Sequence, residues 1–284
     1  MSQSGKIDLH LHSNESDGRL SPSDLVALAH RNGVTRMALT DHDTTQGLAA
    51  ATAAGRTLGV EVIAGIELST DIPGTEVHML GIFLDDEDAA FQAKLAEFRA
   101  GRIGRAEAMV ERLGQMGVSI SWQRVQEIAG PASVGRPHIA QALLEAGYVQ
   151  AMPEAFERYI GRNSPAYVER TKLEPAEAIE LIHSVRGMAV VAHPIETAGT
   201  EEMIPELAAA GLDGVECYYQ GYGPDVVERL IATARRFGLV PTGGSDYHGF
   251  PLAGMADPTN EPGSVHIPPE LLDELLARRQ ARFG

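Results

Sequence analysis

The sequence predicts an α/β fold, a barrel of seven β/α units interrupted by a helical insertion. Three observations carry that expectation. Seven short, largely apolar segments with strand patterning are spread along the 284 residues, most of them separated by one helix-length stretch. From about Asp88 to Lys172 the periodicity is helical only, far more chain than one barrel crossover needs. No dinucleotide or phosphate-loop glycine pattern follows the first strand, which argues against an open, doubly wound sheet. Residues 1–87 and 173–284 are therefore assigned to the barrel, and 88–172 to an insertion covering its active site.

The first strand opens at Ile7. Ile7, Leu9 and Leu11 alternate with Asp8, His10 and His12, a period of two that sends both imidazoles off one strand face about 7 Å apart. A loop then leads to Asp17. Ser21-Pro22-Ser23-Asp24 supplies an N-cap, an early proline and early negative charge for a helix that Gly33 closes. Met37-Ala38-Leu39 is a second strand, ending in Thr40-Asp41-His42-Asp43, and a helix from about Thr45 to Leu58 follows. Glu61 to Glu67 is the third strand and Val77 to Phe83, carrying His78, the fourth. Asp71 to Thr75, with Pro73-Gly74, makes the turn between them, too short a link for a helix, so this pair is expected to be antiparallel or irregular.

Helical patterning then covers Ala89–Met116, Trp122–Ala129, Pro137–Ala146 and Pro153–Ile160. Alternation resumes with a helix over Glu174–Val185, a strand from Met188 ending in His193-Pro194, a helix over Glu201–Ala210 and a strand over Gly214–Tyr219. A helix over Asp225–Phe237 precedes the strand from Leu239 that runs into Ser245-Asp246-Tyr247-His248. A last helix, Pro268–Gln280, lies beyond a Pro/Gly-rich stretch.

Composition narrows the function classes. No apolar run approaches the roughly 20 residues of a membrane span, and the N-terminus leads almost directly into the first strand, so a cytoplasmic protein without a signal peptide is expected. The formal charge of −16 argues against binding duplex DNA or an anionic membrane, though not against a small phosphorylated substrate met by bound cations. Cys217 is the only cysteine and has apolar neighbours, which makes it an inert core residue and leaves metal ligands to nitrogen and oxygen. Only Lys6, Lys94 and Lys172 occur, none where a strand end would present a bridging carbamylated lysine; a bridge between metals would have to be a carboxylate.

Taken by strand, the candidate ligands are His10, His12 and Asp17, then His42, Glu67, His78, His193, and finally Asp246 with His248. A His-x-His pair alone says little. Six histidines and three carboxylates on six of seven strand ends are hard to attribute to packing, because unpartnered polar groups there cost several kcal/mol each. In β/α barrels the C-terminal strand ends are where chemistry sits, and a polynuclear metal site is the economical reading.

At these residues the chain resembles the polymerase and histidinol phosphatase (PHP) family. The match runs through His10-Leu11-His12, Thr40 to Asp43, Glu67, His78, Ala192-His193-Pro194 and Ser245 to His248, in order and without a gap. The resemblance implies a distorted seven-stranded (β/α)7 barrel with three divalent metal ions. One would be held by His10, His12, Glu67 and Asp246, a second by Glu67, His78 and His193, and a third by Asp17, His42 and His248. Glu67 would be the bridge. The ligand set leans towards Mn2+, with Fe2+ or Zn2+ as alternatives. Such a cluster hydrolyses phosphoesters through a hydroxide bridging two ions; the general acid is left unassigned. Asp41 and Asp43 are expected to orient His42 or other ligands, with a plain strand-cap role as the alternative.

The insertion supplies basic residues that the barrel lacks. Arg99, Arg102 and Arg105 recur on its first helix, Gly135-Arg136-Pro137-His138 opens its third, and Arg162 and Lys172 lie on the return. Arg102, Arg136 and Lys172 are the candidate contacts to a second phosphate, since guanidinium forks and helix N-termini both suit anions. Arg99 and Arg105 read more simply as a solvated helix face. His138 reads as a core or surface histidine, and His30, His183 and His266 as structural. Trp122 and Tyr148 suit either packing or contact with a base. Together with Ser164-Pro165-Ala166-Tyr167-Val168, the insertion is similar to the subgroup acting on 3′,5′-nucleoside bisphosphates and short RNA ends. A metal-dependent phosphatase releasing the 3′-phosphate of adenosine 3′,5′-bisphosphate, with 5′-3′ trimming of short RNA as a second activity, is therefore expected. A histidinol-phosphate phosphatase and a non-catalytic metal-binding module are the alternatives. Nothing in the sequence bears on oligomeric state.

Overall fold

In the computed structural model, which describes residues 5–72, 75–130, 134–169, 173–249 and 260–284, seven strands pair in chain order. They are β1 (Lys6–Asp8), β2 (Val34–Leu39), β3 (Glu61–Ile72), β4 (Thr75–Ile82), β5 (Met188–Val191), β6 (Gly214–Tyr219) and β7 (Val240–Gly244). β4 is antiparallel to both β3 and β5, and every other neighbouring pair is parallel. The expected irregular pair is thus an antiparallel hairpin, with Gly65 opposite Ile82 and Ile72 opposite Thr75. Its Pro73-Gly74 turn lies outside the described residues.

The first strand differs from expectation. Regular pairing stops at Asp8, whose carboxylate accepts from the His10 backbone N–H at 3.3 Å. Beyond it the chain bonds to both neighbours: Thr40 N–H donates to Leu11 O at 2.9 Å on the β2 side, and further bonds reach the β7 side. Leu9 N–H donates to Gly243 O (3.2 Å), Asp246 N–H to His10 O (2.9 Å) and His12 N–H to Tyr247 O (3.0 Å). These bonds nearly close the barrel and carry both histidines to its mouth.

Helices α1 (Pro22–Arg31), α2 (Leu48–Leu58), α7 (Pro175–Ser184), α8 (Thr200–Ala209) and α9 (Pro224–Arg236) follow strands and cover the outside. Ser21 caps α1 by accepting from Asp24 N–H at 3.2 Å. Strand alternation divides the apolar residues. On β5, Met188 and Val190 join Ile7, Ala38, Leu80 and Val240 in an inner core that α10 (Glu270–Phe283) closes with Leu271, Leu272 and Leu275, whereas Ala189 and Val191 pack outward with Ile179 and Ile182 of α7.

Between β4 and α7 lie α3 (Ala89–Gln115), α4 (Trp122–Ala129), α5 (Arg136–Glu145) and α6 (Met152–Ala155), the last running into a π-helical turn at Phe156–Ile160. Their core is separate, built from Met109, Leu113, Val125, Ile139, Leu143 and Ile160. α3 bridges the two bodies: Phe91 and Leu95 belong to the barrel's outer core, and Ala106 onward to the second. Trp122 and Tyr148 pack on this second core. Among the described residues no helix is long and apolar enough to cross a membrane.

Candidate metal centre

The strand ends converge on Glu67. Buried on β3, its Oε2 lies 3.2 Å from His10 Nε2, 3.1 Å from His12 Nε2 and 3.3 Å from His42 Nδ1, while Oε1 lies 2.8 Å from His78 Nδ1 and 3.2 Å from His193 Nε2. Asp246 Oδ1 lies 3.2 Å from the Nε2 atoms of both His10 and His12. Asp17 faces His248 Nε2 at 3.2 Å and His42 Nε2 at 3.7 Å.

Among the described residues, three sets have nitrogen and oxygen atoms within 4.8 Å of one another: His10, His12, Glu67 and Asp246; His12, Asp17, His42 and His248; and His42, Glu67 and His78. His193 meets His78 at Glu67 Oε1. All nine side chains singled out from the sequence therefore stand at one mouth of the barrel.

Backbone and charge are both unusual here. Asp43, His193 and Asp246 have positive φ (52°, 27° and 50°), a strained region for non-glycine residues that costs on the order of 1–3 kcal/mol each. Gly244 approaches His10 so closely that a Cβ would lie 2.2 Å from the His10 Cβ. Burial alone would push the Glu67 carboxyl up, yet His42, His10 and His78 hold it well below the usual range. Burial pushes His42 down to about 3, the loss of solvation outweighing Glu67 and Asp17. Burial also opposes charge on His248, but Asp17 and Asp246 raise it to about 10.

The donor set fits divalent cations. Both ring nitrogens of His12, together with Nδ1 of His42 and of His78, are buried and make no hydrogen bond. Each faces a carboxylate of the cluster without a well-formed hydrogen bond, which compensates poorly for its lost solvation. A cation at the centre of each group would engage them, and imidazole with carboxylate suits Mn2+, Fe2+ or Zn2+.

Comparison with known proteins agrees with this geometry. Residues 8–96 match the PHP domain family. The 5′-3′ exoribonuclease of Haemophilus influenzae is 36% identical over 250 residues, covering 87% of this chain and 90% of the relative. The chain belongs to the PHP family. A second PHP relative, the 3′,5′-nucleoside bisphosphate phosphatase of Chromobacterium violaceum, is 33% identical over 247 residues, 85% of this chain and 87% of its own. The crystal structure of a protein from Bifidobacterium adolescentis, described as a metal-dependent phosphoesterase, superposes with a TM-score of 0.85 at 32% identity, covering 97% and 96% of the two chains. At that level this PHP protein is a metal-dependent phosphoesterase, a hydrolase.

Around the PHP ligand set stand residues that the sequence reading missed. Glu216 is fully buried and accepts from the His193 backbone N–H at 2.8 Å, with its Oε1 3.0 Å from His10 Nδ1. The signal was present in strand period: Val215 and Cys217 face the outer core, so Glu216 faces the interior. Asp8, also buried, accepts from Ser245 N–H (3.0 Å) and Gly263 N–H (2.8 Å), joining the two ends of the chain beneath the site. Tyr219 donates to Asp246 Oδ2 at 2.8 Å. Cys217 is a buried free thiol whose pKa burial pushes up.

Asp41 and Asp43 contact the segments around the ligand set. Asp41 accepts from Ser13 N–H, Ser13 Oγ and Ser16 Oγ, each at 2.7 Å, and so fixes the loop between His12 and Asp17. Asp43 pairs with Arg102 and accepts from Ser69 N–H at 3.3 Å, tying α3 to the barrel.

A cavity opens from the metal centre towards the insertion, lined by Asp17, His42, His78, Arg102, Arg105 and Arg136, among others. Arg102 also donates to Ser69 Oγ at 2.7 Å, and Arg136 pairs with Glu76. Arg105 corrects the expectation of a solvated face. It is largely buried, donates to Val168 O at 2.7 Å and stacks over Tyr167. Arg99 is half-buried, 3.4 Å from Asp43 O. His138 is buried in the wall beside this cavity, its Nδ1 accepting from Gly135 N–H at 2.9 Å. Lys172 lies outside the described residues.

Proposed function

We propose that this PHP protein is a phosphatase that removes the 3′-phosphate of 3′,5′-nucleoside bisphosphates, converting adenosine 3′,5′-bisphosphate to AMP and phosphate. The observation that carries the reading is the arginine-lined cavity opening directly off the metal centre. A substrate with two phosphates has one anion for the cations and a second for the guanidinium groups.

We assign three ions, with Mn2+ first, to the nine side chains: His10, His12, Glu67 and Asp246; Glu67, His78 and His193; Asp17, His42 and His248. When bound, such ions polarise a phosphoryl oxygen and make a water nucleophilic near neutral pH. The chain's own groups do the rest. Glu67 and Asp246 set the spacing of the imidazoles, Glu216 and Asp41 hold the segments that carry His10, His193 and Asp17, and Arg102 and Arg136 receive the second phosphate. Arg102 is suited to this because its Asp43 and Ser69 contacts hold the fork in place before substrate arrives. The helical segment 88–172 then acts as a substrate-covering insertion, and a cytoplasmic location agrees with a nucleotide substrate.

The test is phosphate release by manganese-loaded protein from adenosine 3′,5′-bisphosphate and histidinol phosphate. The reading requires the bisphosphate to be preferred by kcat/KM, and faster hydrolysis of histidinol phosphate would overturn it. A second reading, 5′-3′ trimming of 5′-phosphorylated RNA, is favoured by the name of the Haemophilus influenzae relative. The two are compatible, since an RNA 5′ end likewise places one phosphate a nucleoside away from the scissile bond.

A further inference from the structure

A second cavity lies on the other side of Asp17. Its walls come from the loop after His12 and from the insertion, with Gly18, Arg19, Ile128, His138, Gln141 and Met152 among them. Asp17 and Pro137 line both cavities, which places the second one directly beside the metal centre. They differ in size and chemistry. The arginine-lined one has a volume of about 140 Å³, below the roughly 300–1,000 Å³ of small-molecule sites, whereas the second has about 350 Å³, within that range. The smaller fits an anion and the larger a ring system.

The larger cavity is also built for such a ring. Ile128, Met152 and Pro137 give it an apolar wall, and Gln141 offers an amide that can donate and accept. His138 has a defined hydrogen-bonding role there. Because its Nδ1 accepts from Gly135 N–H, the neutral ring carries its proton on Nε2, which is therefore a donor. The loop forming the opposite wall is held by the three bonds to Asp41, so the cavity has a fixed wall on the barrel side.

We propose that this second cavity is the nucleoside subsite: the base lies against Ile128, Met152 and Pro137, with polar groups met by His138 and Gln141, while a phosphate occupies the arginine-lined cavity. This deepens the bisphosphate reading above and rests on it for the choice of ligand.

Calorimetric titration of the manganese-loaded protein with AMP and, separately, with inorganic phosphate tests the proposal. Wild type should bind AMP at least tenfold more tightly than phosphate. Gln141→Trp, which fills the cavity from the half-exposed face of α5, should abolish that preference by weakening AMP at least tenfold. Met152→Ala, which removes apolar wall, should weaken AMP several-fold. Circular dichroism confirms that each variant is folded, and Met152→Ala stands alone if the tryptophan disrupts α5. Wild type binding AMP no better than phosphate, or folded variants keeping the full preference, would overturn the subsite. Tight, variant-sensitive AMP binding without phosphate release from the bisphosphate would instead overturn the phosphatase reading and leave the subsite standing.

Discussion

Glu67 is the residue on which the site turns, because five imidazoles share its two oxygens. Glu67→Gln removes the charge and half of the acceptor capacity, leaving those rings facing one another in a buried space. Bound manganese, measured by elemental analysis after dialysis, should fall by at least one ion per chain. Activity should drop by more than the roughly 10–100-fold that loss of an outer partner costs. Glu216 gives the complementary case. Its carboxylate holds His10 Nδ1, so that Nε2 faces Glu67 and Asp246, and Glu216→Gln should weaken manganese binding by about 10–100-fold, read by calorimetry, with the fold intact. Unchanged affinity would show that Glu216 serves packing alone. Six of the nine candidate ligands were legible because they follow an apolar strand at an abrupt change of character, while Glu67 and His78 stood out as polar groups within apolar stretches that the structure places inside β3 and β4, and Asp17 as an acid in the loop after His12. Glu216 was not, since it sits mid-strand between Val215 and Cys217 and only the alternation of faces exposes it. Arg105 was misread for a different reason: helical periodicity says which residues share a face, and says nothing of the Val168 and Tyr167 segment that returns to cover that face.

At the scale of elements, three joints position the centre. The seam between the chain after β1 and β7 brings His10 and His12 beside Asp246, and it depends on the close approach of Gly244. Gly244→Ala must displace His10, and metal content should fall even where circular dichroism stays native. The β3–β4 hairpin sets Glu67 opposite Leu80 and Ser69 opposite His78, so β4 delivers its histidine antiparallel to the others. The sequence marked this pair through its short link, but not the extension of β3 to Ile72, because continued pairing depends on the partner strand. α3 is the third joint. Its Arg102 reaches Asp43 and Ser69, and Arg102→Met should raise KM for adenosine 3′,5′-bisphosphate by about tenfold or more while lowering kcat less, the loss of one charge-assisted contact of about 1.5–3 kcal/mol. The insertion's separate core predicts its own weak point. Leu143→Ala, fully buried on α5, should cost about 2–5 kcal/mol, seen as a lower urea midpoint.

The whole molecule is a barrel tied at both ends, with the metal centre at one and an ionic clamp at the other. Buried Asp213 accepts from Arg278 Nε (2.9 Å) and Arg282 Nη2 (2.9 Å) of α10 and from Ala189 N–H (3.0 Å), with His183 Nε2 2.8 Å away. Burial would raise its pKa, but the His183 and Arg278 contacts outweigh this and hold it below the ordinary carboxylate value. A depressed folded pKa means that the stabilisation is complete above the unfolded value of about 3.9 and is lost as pH falls through the folded one. Asp213→Ala should therefore destabilise by about 3–5 kcal/mol at neutral pH, and the difference from wild type should shrink in melts taken below pH 4. The most direct measurement is anomalous diffraction from crystals grown with manganese. Three peaks should appear, within coordination distance of His10, His12, Glu67 and Asp246, of Glu67, His78 and His193, and of Asp17, His42 and His248. An empty mouth in crystals whose protein contains stoichiometric manganese elsewhere would contradict the account.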